Sequence, residues 1–285
     1  MTRSLFRNTL IIDCLLLSSS FIISSPGTQE KPEPTTAAPA SAAGPWLGVL
    51  LDKKARISTD GIAITRVMRQ SPAEKAGIQS GDRILDLNGQ SVQSAEDLQK
   101  LVRNQKVGAK VKVRAVRKNQ PMEFHVTLTP APTESQMLDT QLLNQPAPSV
   151  SFEMVSPQAR TFKLDELKGR PTIIEFWATW CQPCIAVAAE LARLKATHGD
   201  AIHVVGVSAE DAVVLAGFIK KSGTPPYMLA KDIQQAGHDS FFVSNYPIVF
   251  LLNADHRIEG IFSGRSQLPQ LEAKLNTLLE PAKTQ

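Results

Sequence analysis

The chain has 285 residues, of which 42% are hydrophobic and 20% charged, with three cysteines and a formal net charge of +4. This length corresponds to about two domains and is enough for a hydrophobic core without disulfide bonds, which excludes a small cystine-rich scaffold. The proline and glycine content is too low for a collagenous or wholly disordered protein. No apolar stretch reaches the ~20 residues of a comfortable membrane span, which excludes a protein with several spans.

Residues 1–25 have the pattern of a targeting segment. Arg3 and Arg7 precede a short apolar run, and small residues follow it. This order is typical of a secretory signal peptide. We therefore expect an exported protein, in the periplasm or on the outer face of the inner membrane, with a cleaved signal rather than the alternative, a retained anchor. A lipid-modified Cys14 is disfavoured because Asp13 stands where a lipoprotein signal needs a small residue.

Residues 26–45 are rich in Pro, Ala and Thr. A segment with so little to bury is expected to be a disordered, extended linker. Cleavage of the signal would remove Cys14 and leave Cys181 and Cys184 in the mature chain.

Residues 46–130 predict a small, mostly β domain, because short runs rich in Val, Ile and Leu alternate with turn signals. Asn88-Gly89 is a tight-turn dipeptide. Ser94, followed by two acidic residues, begins a predicted helix that ends near Arg103. The expected strands are 46–51, 62–67, 83–87, 111–116 and 123–129.

Four sequence blocks follow one another in this domain: Ser71-Pro72-Ala73, Ala76-Gly77-Ile78, Gly81-Asp82-Arg83-Ile84 and Leu87-Asn88-Gly89. They resemble the PDZ domain of bacterial periplasmic proteases of the high-temperature-requirement type. The resemblance implies a loop that binds the terminal carboxylate of a peptide, which then adds as a strand beside 49–52. The implied loop residues are Trp46, Leu47, Gly48 and Val49. The implied side-chain pocket is formed by Leu98, Leu101 and Val102.

The excess positive charge lies in residues 46–130, which contain fifteen Lys and Arg against eight Asp and Glu. Nucleic acid is the alternative partner of a basic domain. We expect no nucleic-acid partner, because export removes it and no aromatic platform accompanies the charge. The resemblance does not extend to the protease itself, because the chain has no Gly-x-Ser-x-Gly motif and His125 is the only histidine before residue 198.

Residues 131–145 are predicted to be a largely polar linker. Strand and helix patterns alternate over 146–285, which predicts an α/β domain with a mainly parallel or mixed sheet and helices on both faces. The expected strands are 172–176, 202–207, 248–253 and 257–262, and the expected helices are 185–197, 212–221 and 268–279.

Cys181 and Cys184 flank Gln182-Pro183 at the junction of the first strand and first helix of this domain. The amino end of a helix favours a thiolate, and two thiols one turn apart can form a disulfide. We interpret Cys181 as the exposed attacking thiol and Cys184 as the buried resolving thiol of an exchange through a mixed disulfide. The alternatives are a structural disulfide and a zinc site, which would need two further ligands.

Several blocks of the second domain stand in a recognisable order: Ala147-Pro148, Leu167-Lys168-Gly169-Arg170-Pro171, the run from Phe176 to Cys184, Val205-Gly206-Val207-Ser208 and Tyr246-Pro247. They resemble exported thioredoxin-like proteins of the TlpA/ResA kind. The resemblance implies a thiol–disulfide oxidoreductase whose redox group is the cysteine pair, with no bound cofactor or metal. It also implies a cis Pro247 that faces the pair, with Trp180 and Tyr246 contacting the substrate chain.

Glu175 departs from the pattern of that family, many members of which have Asn at this place. Thioredoxin itself has a buried acid there, so we interpret Glu175 as the proton acceptor of Cys184. A carboxyl group on a buried strand should have a raised pKa, which suits a base working near neutral pH. The alternative is a partly exposed acid with satisfied hydrogen bonds.

These features predict an exported thiol–disulfide oxidoreductase that acts on protein disulfides or dithiols, receives electrons from a membrane donor and recruits peptide C-termini through its PDZ domain. Gln182-Pro183 lacks the His of strongly oxidising relatives, which favours a reductase. One alternative is a PDZ adaptor whose thioredoxin-like unit only docks a partner. Another is a peroxiredoxin-like peroxidase, disfavoured because Ala178 replaces the Thr or Ser that it needs.

Overall fold

The computed structural model describes residues 43–51, 61–155 and 160–280. The expected signal segment 1–25, with Cys14, and most of the expected linker 26–45 lie outside the described residues. Within the described ranges, none of the helices combines the length and apolar character of a membrane span.

In its described residues, the first domain is built around an antiparallel sheet with two helices. Its strands are β1 (Pro45–Trp46), β2 (Val49–Leu51), β3 (Ile62–Val67), β4 (Arg83–Leu87), β5 (Gln90–Ser91), β6 (Lys110–Arg117), β7 (Gln120–Thr127) and β8 (Thr129–Pro130), and its helices are α1 (Pro72–Lys75) and α2 (Ala95–Arg103). The sheet order is β2-β3-β4-β6-β7, with β5 on β4, while β1 pairs separately with β8. The predicted mostly β fold is confirmed.

Both helices of this domain begin at a serine, and the sequence predicts the second of them, at Ser94. The Ser71 hydroxyl accepts from the Glu74 N–H at 3.1 Å, and the Ser94 hydroxyl accepts from the Asp97 N–H at 3.1 Å. Each contact satisfies a backbone donor that the first turn of a helix leaves free. The apolar faces of the sheet and of α2 then form one core, with Ile84 and Val113 fully buried.

The segment 131–145, predicted as a largely polar linker, contains a helix, α3 (Glu134–Leu142). It begins with a capping box in which Thr133 and Gln136 exchange hydrogen bonds. Leu138 and Leu142, four residues apart, are 3% and 4% exposed and belong to the core of the second domain. The linker prediction was wrong because one apolar stripe is enough to dock a helix, whatever its average polarity.

The second domain is a seven-stranded mixed sheet with helices on both faces, as predicted. Its strands are β9 (Ser151–Met154), β10 (Thr161–Lys163), β11 (Thr172–Phe176), β12 (His203–Ser208), β13 (Met228–Asp232), β14 (Ile248–Leu252) and β15 (Ile258–Ser263), and its helices are α4 (Gln182–His198), α5 (Ala212–Ser222), α6 (Ala236–Ser240) and α7 (Leu268–Leu279). The order is β10-β9-β13-β12-β11-β14-β15, with β12 parallel to β11 and β13 and the other pairs antiparallel.

Strand β11 lies at the centre of this domain and is buried along its whole length. Ile173 packs on one face with α4 and α7, whereas Ile174 and Phe176 pack on the other face with α3. Side chains of a strand alternate between faces, so β11 divides the core into two layers. Its carboxyl end leads directly into the cysteine segment and α4.

Candidate active site

Cys181 and Cys184 are joined by a disulfide at the amino end of α4. Cys181 is the residue before the first helical turn, and Pro183 lies inside that turn, where its missing N–H is not needed. The Cys184 N–H donates to the Cys181 carbonyl at 3.1 Å. The pair therefore meets the unpaired backbone donors and the positive dipole end of α4, which stabilise a thiolate.

The expected difference in exposure between the two cysteines is not found in the disulfide form. Cys181 is 4% exposed and Cys184 is 2% exposed, and both pack in one cluster with Trp177 and Ala178. In the disulfide, both cysteines lie in the same apolar surroundings. Trp180, immediately before the pair, is instead 72% exposed, so the surface next to the disulfide is aromatic.

The loop before β14 brings a second aromatic residue to the pair. The Tyr246–Pro247 peptide bond is cis, as the resemblance implied. Tyr246 packs against the cluster that holds both cysteines, and its ring meets the Trp180 ring edge to face, with centroids 5.7 Å apart. The structure thus brings together the cysteine pair, Trp180 and the cis-proline loop, which stand 62 to 67 positions apart in the sequence.

Glu175 is 1% exposed, and its Oε1 has no hydrogen-bond partner among the described residues. Burial raises the pKa of the Glu175 carboxyl to about 8 from an ordinary value of 4.5. The alternative of a partly exposed, satisfied acid is therefore wrong. At neutral pH the carboxyl group is protonated or close to its titration range, where it exchanges protons readily.

Glu175 points to the same side of the sheet as Cys184. Ile173, two residues earlier on β11, packs with Val187 of α4, and Cys184 lies on the same buried face of that helix. Two strand residues span ~6.6 Å and three helical residues ~4.5 Å, so Glu175 and Cys184 are displaced in the same direction from the contact of Ile173 with Val187. The fold sets Glu175 at the level of Cys184.

A carboxylate that the sequence analysis missed holds the loop before the pair. Glu210 accepts from the Thr179 N–H at 2.6 Å and from the Thr179 hydroxyl at 2.7 Å. Ser208, at the end of β12, also donates to Glu210 at 3.2 Å. No local motif links residues 31 positions apart, so only the parallel pairing of β11 with β12 reveals this contact. Asp232, at the end of β13, and His238, on α6, were also missed; His238 contacts both Asp232 and Tyr246.

The predicted peptide-binding loop of the first domain is held in place by backbone hydrogen bonds. The Leu47 carbonyl accepts from the Ala73 N–H at 3.0 Å, and the Gly48 carbonyl accepts from the Met68 N–H at 2.9 Å. Gly48 has φ +86°, and a Cβ there would lie 2.2 Å from the Ser71 Cβ. The glycine is therefore required by the fold of the loop itself.

The side chains expected to line the peptide site differ in burial, and so in how far they can contact a peptide. Leu47, Leu98 and Val102 belong to the core of the domain, which leaves Leu101 and Val49 half-buried. Strand β2 is an edge strand of the described sheet. A peptide would meet mainly backbone groups and the half-buried side chains, since the others already pack inside.

Two family models match the chain. The PDZ domain matches residues 45–128, and the AhpC/TSA family matches residues 143–261. A peroxidase needs a hydroxyl side chain at position 178, where this chain has an alanine. Ala178 is buried in the same cluster as the cysteine pair.

Relatives match one domain or the other. The "Probable periplasmic serine endoprotease DegP-like" of Marinomonas sp. (strain MWYL1) is 32% identical over 129 residues, which are 42% of this chain and 28% of that protein. "Thiol-disulfide oxidoreductase ResA" of Bacillus subtilis (strain 168) is 26% identical over 137 residues, covering 47% of this chain and 75% of that protein. The chain thus spans little more than a quarter of the protease and three quarters of the oxidoreductase.

Among solved structures, the thioredoxin family "thiol:disulfide interchange protein" of Chlorobium tepidum TLS matches with a TM-score of 0.42 and 22% identity, covering 48% of this chain and 97% of that one. The chain carries a PDZ domain followed by a thioredoxin-like domain. The second domain is similar to thiol–disulfide oxidoreductases, with its cysteine pair at the amino end of α4.

Proposed function

We propose that this protein is an exported thiol–disulfide oxidoreductase that reduces disulfide bonds of protein substrates, which its PDZ domain recruits. The observation that carries the proposal is the Cys181–Cys184 disulfide at the amino end of α4, beside the loop with cis Pro247. Relatives named thiol-disulfide oxidoreductase and thiol:disulfide interchange protein support it.

The reaction begins with the reduced pair. The Cys181 thiolate attacks one sulfur of a substrate disulfide, the substrate S–S bond breaks, and the released substrate thiolate takes a proton from water. Cys184 then loses its proton and attacks the Cys181 sulfur, which breaks the mixed disulfide and releases the second substrate thiol. Two electrons pass to the substrate, and the protein is left with the disulfide seen in the structure.

Glu175 takes the proton of Cys184 in the second step. Its burial and its unpartnered Oε1 suit this role, and with a pKa of about 8 it is the ionised fraction of the carboxyl group, which grows as the pH rises towards 8, that accepts the proton. Glu175→Gln should slow release of the substrate from the mixed disulfide across neutral pH. Release at the wild-type rate across this range would remove the role.

The PDZ domain recruits substrates by their C-termini or exposed peptides. Its edge strand β2 and the loop at Gly48 offer backbone groups to a peptide that adds as a further strand. Binding at one domain raises the effective concentration of substrate at the other. Mixing reduced protein with a disulfide peptide that has either a free or an amidated C-terminus tests this role, since only the free carboxylate should accelerate the reaction.

Turnover requires a dithiol donor that reduces the Cys181–Cys184 disulfide again. We place this donor in the membrane and the protein in the periplasm or on the outer face of the inner membrane. The name of a relative of the first domain, a periplasmic endoprotease, supports this location. A reduction potential of about −120 mV for the Cys181–Cys184 pair, as in strong oxidants, would contradict the proposed flow of electrons to the substrate.

The decisive experiment traps the intermediate. Cys184→Ser should accumulate a mixed disulfide with a protein substrate, visible as a mass increase that a thiol reductant removes, whereas the matched Cys181→Ser variant should not. Equal trapping by both variants, or by neither, would contradict the assigned roles. Cys181→Ala tests the adaptor alternative, since an adaptor would keep its function while an enzyme would lose turnover.

A further inference from the structure

Asp232, at the end of β13, is a buried carboxylate with three hydrogen-bond donors around it. Its Oδ1 accepts from the Gly237 N–H at 2.8 Å, and its Oδ2 accepts from the His238 N–H at 2.8 Å. The His238 Nδ1 lies 2.6 Å from the same Oδ2. A carboxylate only accepts hydrogen bonds, so Nδ1 carries the proton in this contact.

The other nitrogen of His238 reaches the tyrosine beside the cis-proline bond. Its Nε2 lies 2.7 Å from the Tyr246 hydroxyl. In the neutral ring with the proton on Nδ1, Nε2 is an acceptor and the phenol O–H donates to it. Asp232, His238 and Tyr246 thus form one directed chain of hydrogen bonds that leads from the core of the domain to its cysteine pair.

The backbone before His238 adopts an unusual conformation. Gln234 and Gln235 both have positive φ values, 54° and 59°. Left-handed backbone is unfavourable for an ordinary residue, and such conformations persist where the surrounding structure enforces them. At Gly237 a Cβ would lie 2.7 Å from Phe152 and 3.0 Å from the Asp232 carboxylate, so this turn closes only with glycine.

Packing leaves His238 little freedom to turn. It is 7% exposed, its ring meets the Phe176 ring at 4.9 Å edge to face, and it meets the Tyr246 ring at 5.6 Å. Tyr246 is half-buried and in turn meets the 72% exposed Trp180. The chain of contacts therefore ends at the exposed aromatic surface next to Cys181.

We propose that Asp232 and His238 are positioning residues that act through Tyr246 on the choice of substrate. By fixing the phenol hydroxyl they hold the Tyr246 ring against Trp180, and the two rings form the surface over which an extended polypeptide approaches Cys181. A small disulfide needs no such surface and reaches the sulfur without it. This inference rests on the proposed reductase function and adds the residues that make the protein favour disulfides carried on polypeptide chains over small disulfides.

The test compares two disulfide substrates of different size, insulin and 2-hydroxyethyl disulfide, with the reduced full-length protein. The variants are Tyr246→Phe, which removes only the hydroxyl, His238→Asn, which keeps a donor near Nδ1 and does not reach Tyr246, and the double variant. His238→Gln, whose longer side chain reaches the place of Nε2, is the conservative rescue.

We expect each single variant to lower the rate constant with insulin by about fivefold, the ratio that corresponds to one lost hydrogen bond. The double variant should be no slower than either single variant, because both changes break the same contact. His238→Asn should keep the wild-type rate with 2-hydroxyethyl disulfide, and His238→Gln should recover most of the rate with insulin.

Additive losses in the double variant, or equal losses with both substrates, would show a general structural role of His238 and overturn the inference. Wild-type rates with insulin in all variants would overturn it as well. A wild-type protein that reduces neither substrate would instead refute the proposed reductase function. Nitrogen chemical shifts of the His238 ring give a readout independent of activity, since the inference requires protonated Nδ1 and unprotonated Nε2.

Discussion

The side-chain amide of Gln141 pairs with the backbone of Arg69 in both directions. Its Oε1 accepts from the Arg69 N–H at 2.9 Å, and its Nε2 donates to the Arg69 carbonyl at 3.1 Å. Gln141 lies on α3, which packs into the thioredoxin-like core, and Arg69 follows β3 of the PDZ domain. The Arg66 guanidinium also lies 5.1 Å from the centroid of the Phe242 ring. Directional contacts therefore link the PDZ domain to α3 and to the segment before the cis-proline bond.

Gln141→Ala should weaken this link between the domains. Loss of the amide leaves the N–H and carbonyl of Arg69 without their partner, at a cost of about 1–3 kcal/mol. We expect calorimetry to resolve two unfolding transitions that lie further apart than in the wild type. Gln141→Glu, which keeps the acceptor and loses the donor, should be intermediate. A thermogram of Gln141→Ala that matches the wild type would contradict the link.

The buried carboxyl group of Glu175 should make stability fall as pH rises. Its pKa is about 8 in the folded chain against an ordinary 4.5, so the folded chain keeps a proton that the unfolded chain releases between these values. Stability should then decrease by about 1.4 kcal/mol per pH unit over that interval. Glu175→Gln should remove this slope. Denaturant unfolding of the oxidised wild type and of oxidised Glu175→Gln at about pH 5 and about pH 8 measures this change of stability with pH. A slope that persists in the variant would assign the change to other groups.

Glu210 should influence the titration of Tyr246 as well as the loop before Cys181. Burial and the nearby carboxylates of Glu210 and Asp232 raise the pKa of Tyr246. Glu210→Gln should lower that pKa, and it should also weaken the hold on Thr179, because the new amide nitrogen cannot accept a hydrogen bond. Alkaline titration followed by ultraviolet absorbance measures the effect.

The two tyrosines of the chain can be separated in this titration. Burial and the charge of Glu175 also raise the pKa of Tyr227. In Tyr246→Phe the titration signal that remains belongs to Tyr227, so the difference from the wild type identifies the signal of Tyr246. Thr179→Val is the matched control for Glu210→Gln, because it removes a contact of the carboxylate and keeps its charge. An unchanged Tyr246 titration in Glu210→Gln would contradict the electrostatic effect.

The ion pair of Asp82 with Arg117 should make the PDZ domain sensitive to acid. Burial tends to raise the pKa of Asp82, but hydrogen bonds from Arg117 and the Gln79 N–H hold it below its ordinary value of 3.8. A depressed pKa stabilises the fold above the unfolded value, and that stability is lost as pH falls through the folded pKa. We expect acid unfolding of the wild type to include this loss.

Arg117→Met should reduce the acid dependence and lower stability at neutral pH, since it leaves a carboxylate that is 1% exposed without its cation. Removing the cation leaves the Asp82 carboxylate without its charged partner, which destabilises the fold. Lys112→Met removes a cation of an exposed pair on the same strand and serves as control. Equal stability of the two variants at neutral pH would contradict the assignment.

Much of the fold and the central part of the site follow from neighbouring residues. Hydrophobic patterns predict β3, β4, the continuously apolar β11 and the amphipathic helix α7, because each pattern reports which residues of the element are buried. The strand β13 and the helix α3 are not predicted from the sequence, because β13 has a mixed composition and α3 buries only one narrow apolar stripe. Their places depend on partners elsewhere in the chain.

The sequence by itself determined the cysteine pair at a helix start and the order of the two domains. These features depend on residues that are adjacent in the chain, whose chemistry is local. Only the tertiary structure decided which side chains surround the pair, because the partners of Thr179 and Arg69 stand 31 and 72 positions away. Contacts at such distances are set by strand order and by the docking of helices, and no spacing in the sequence encodes them.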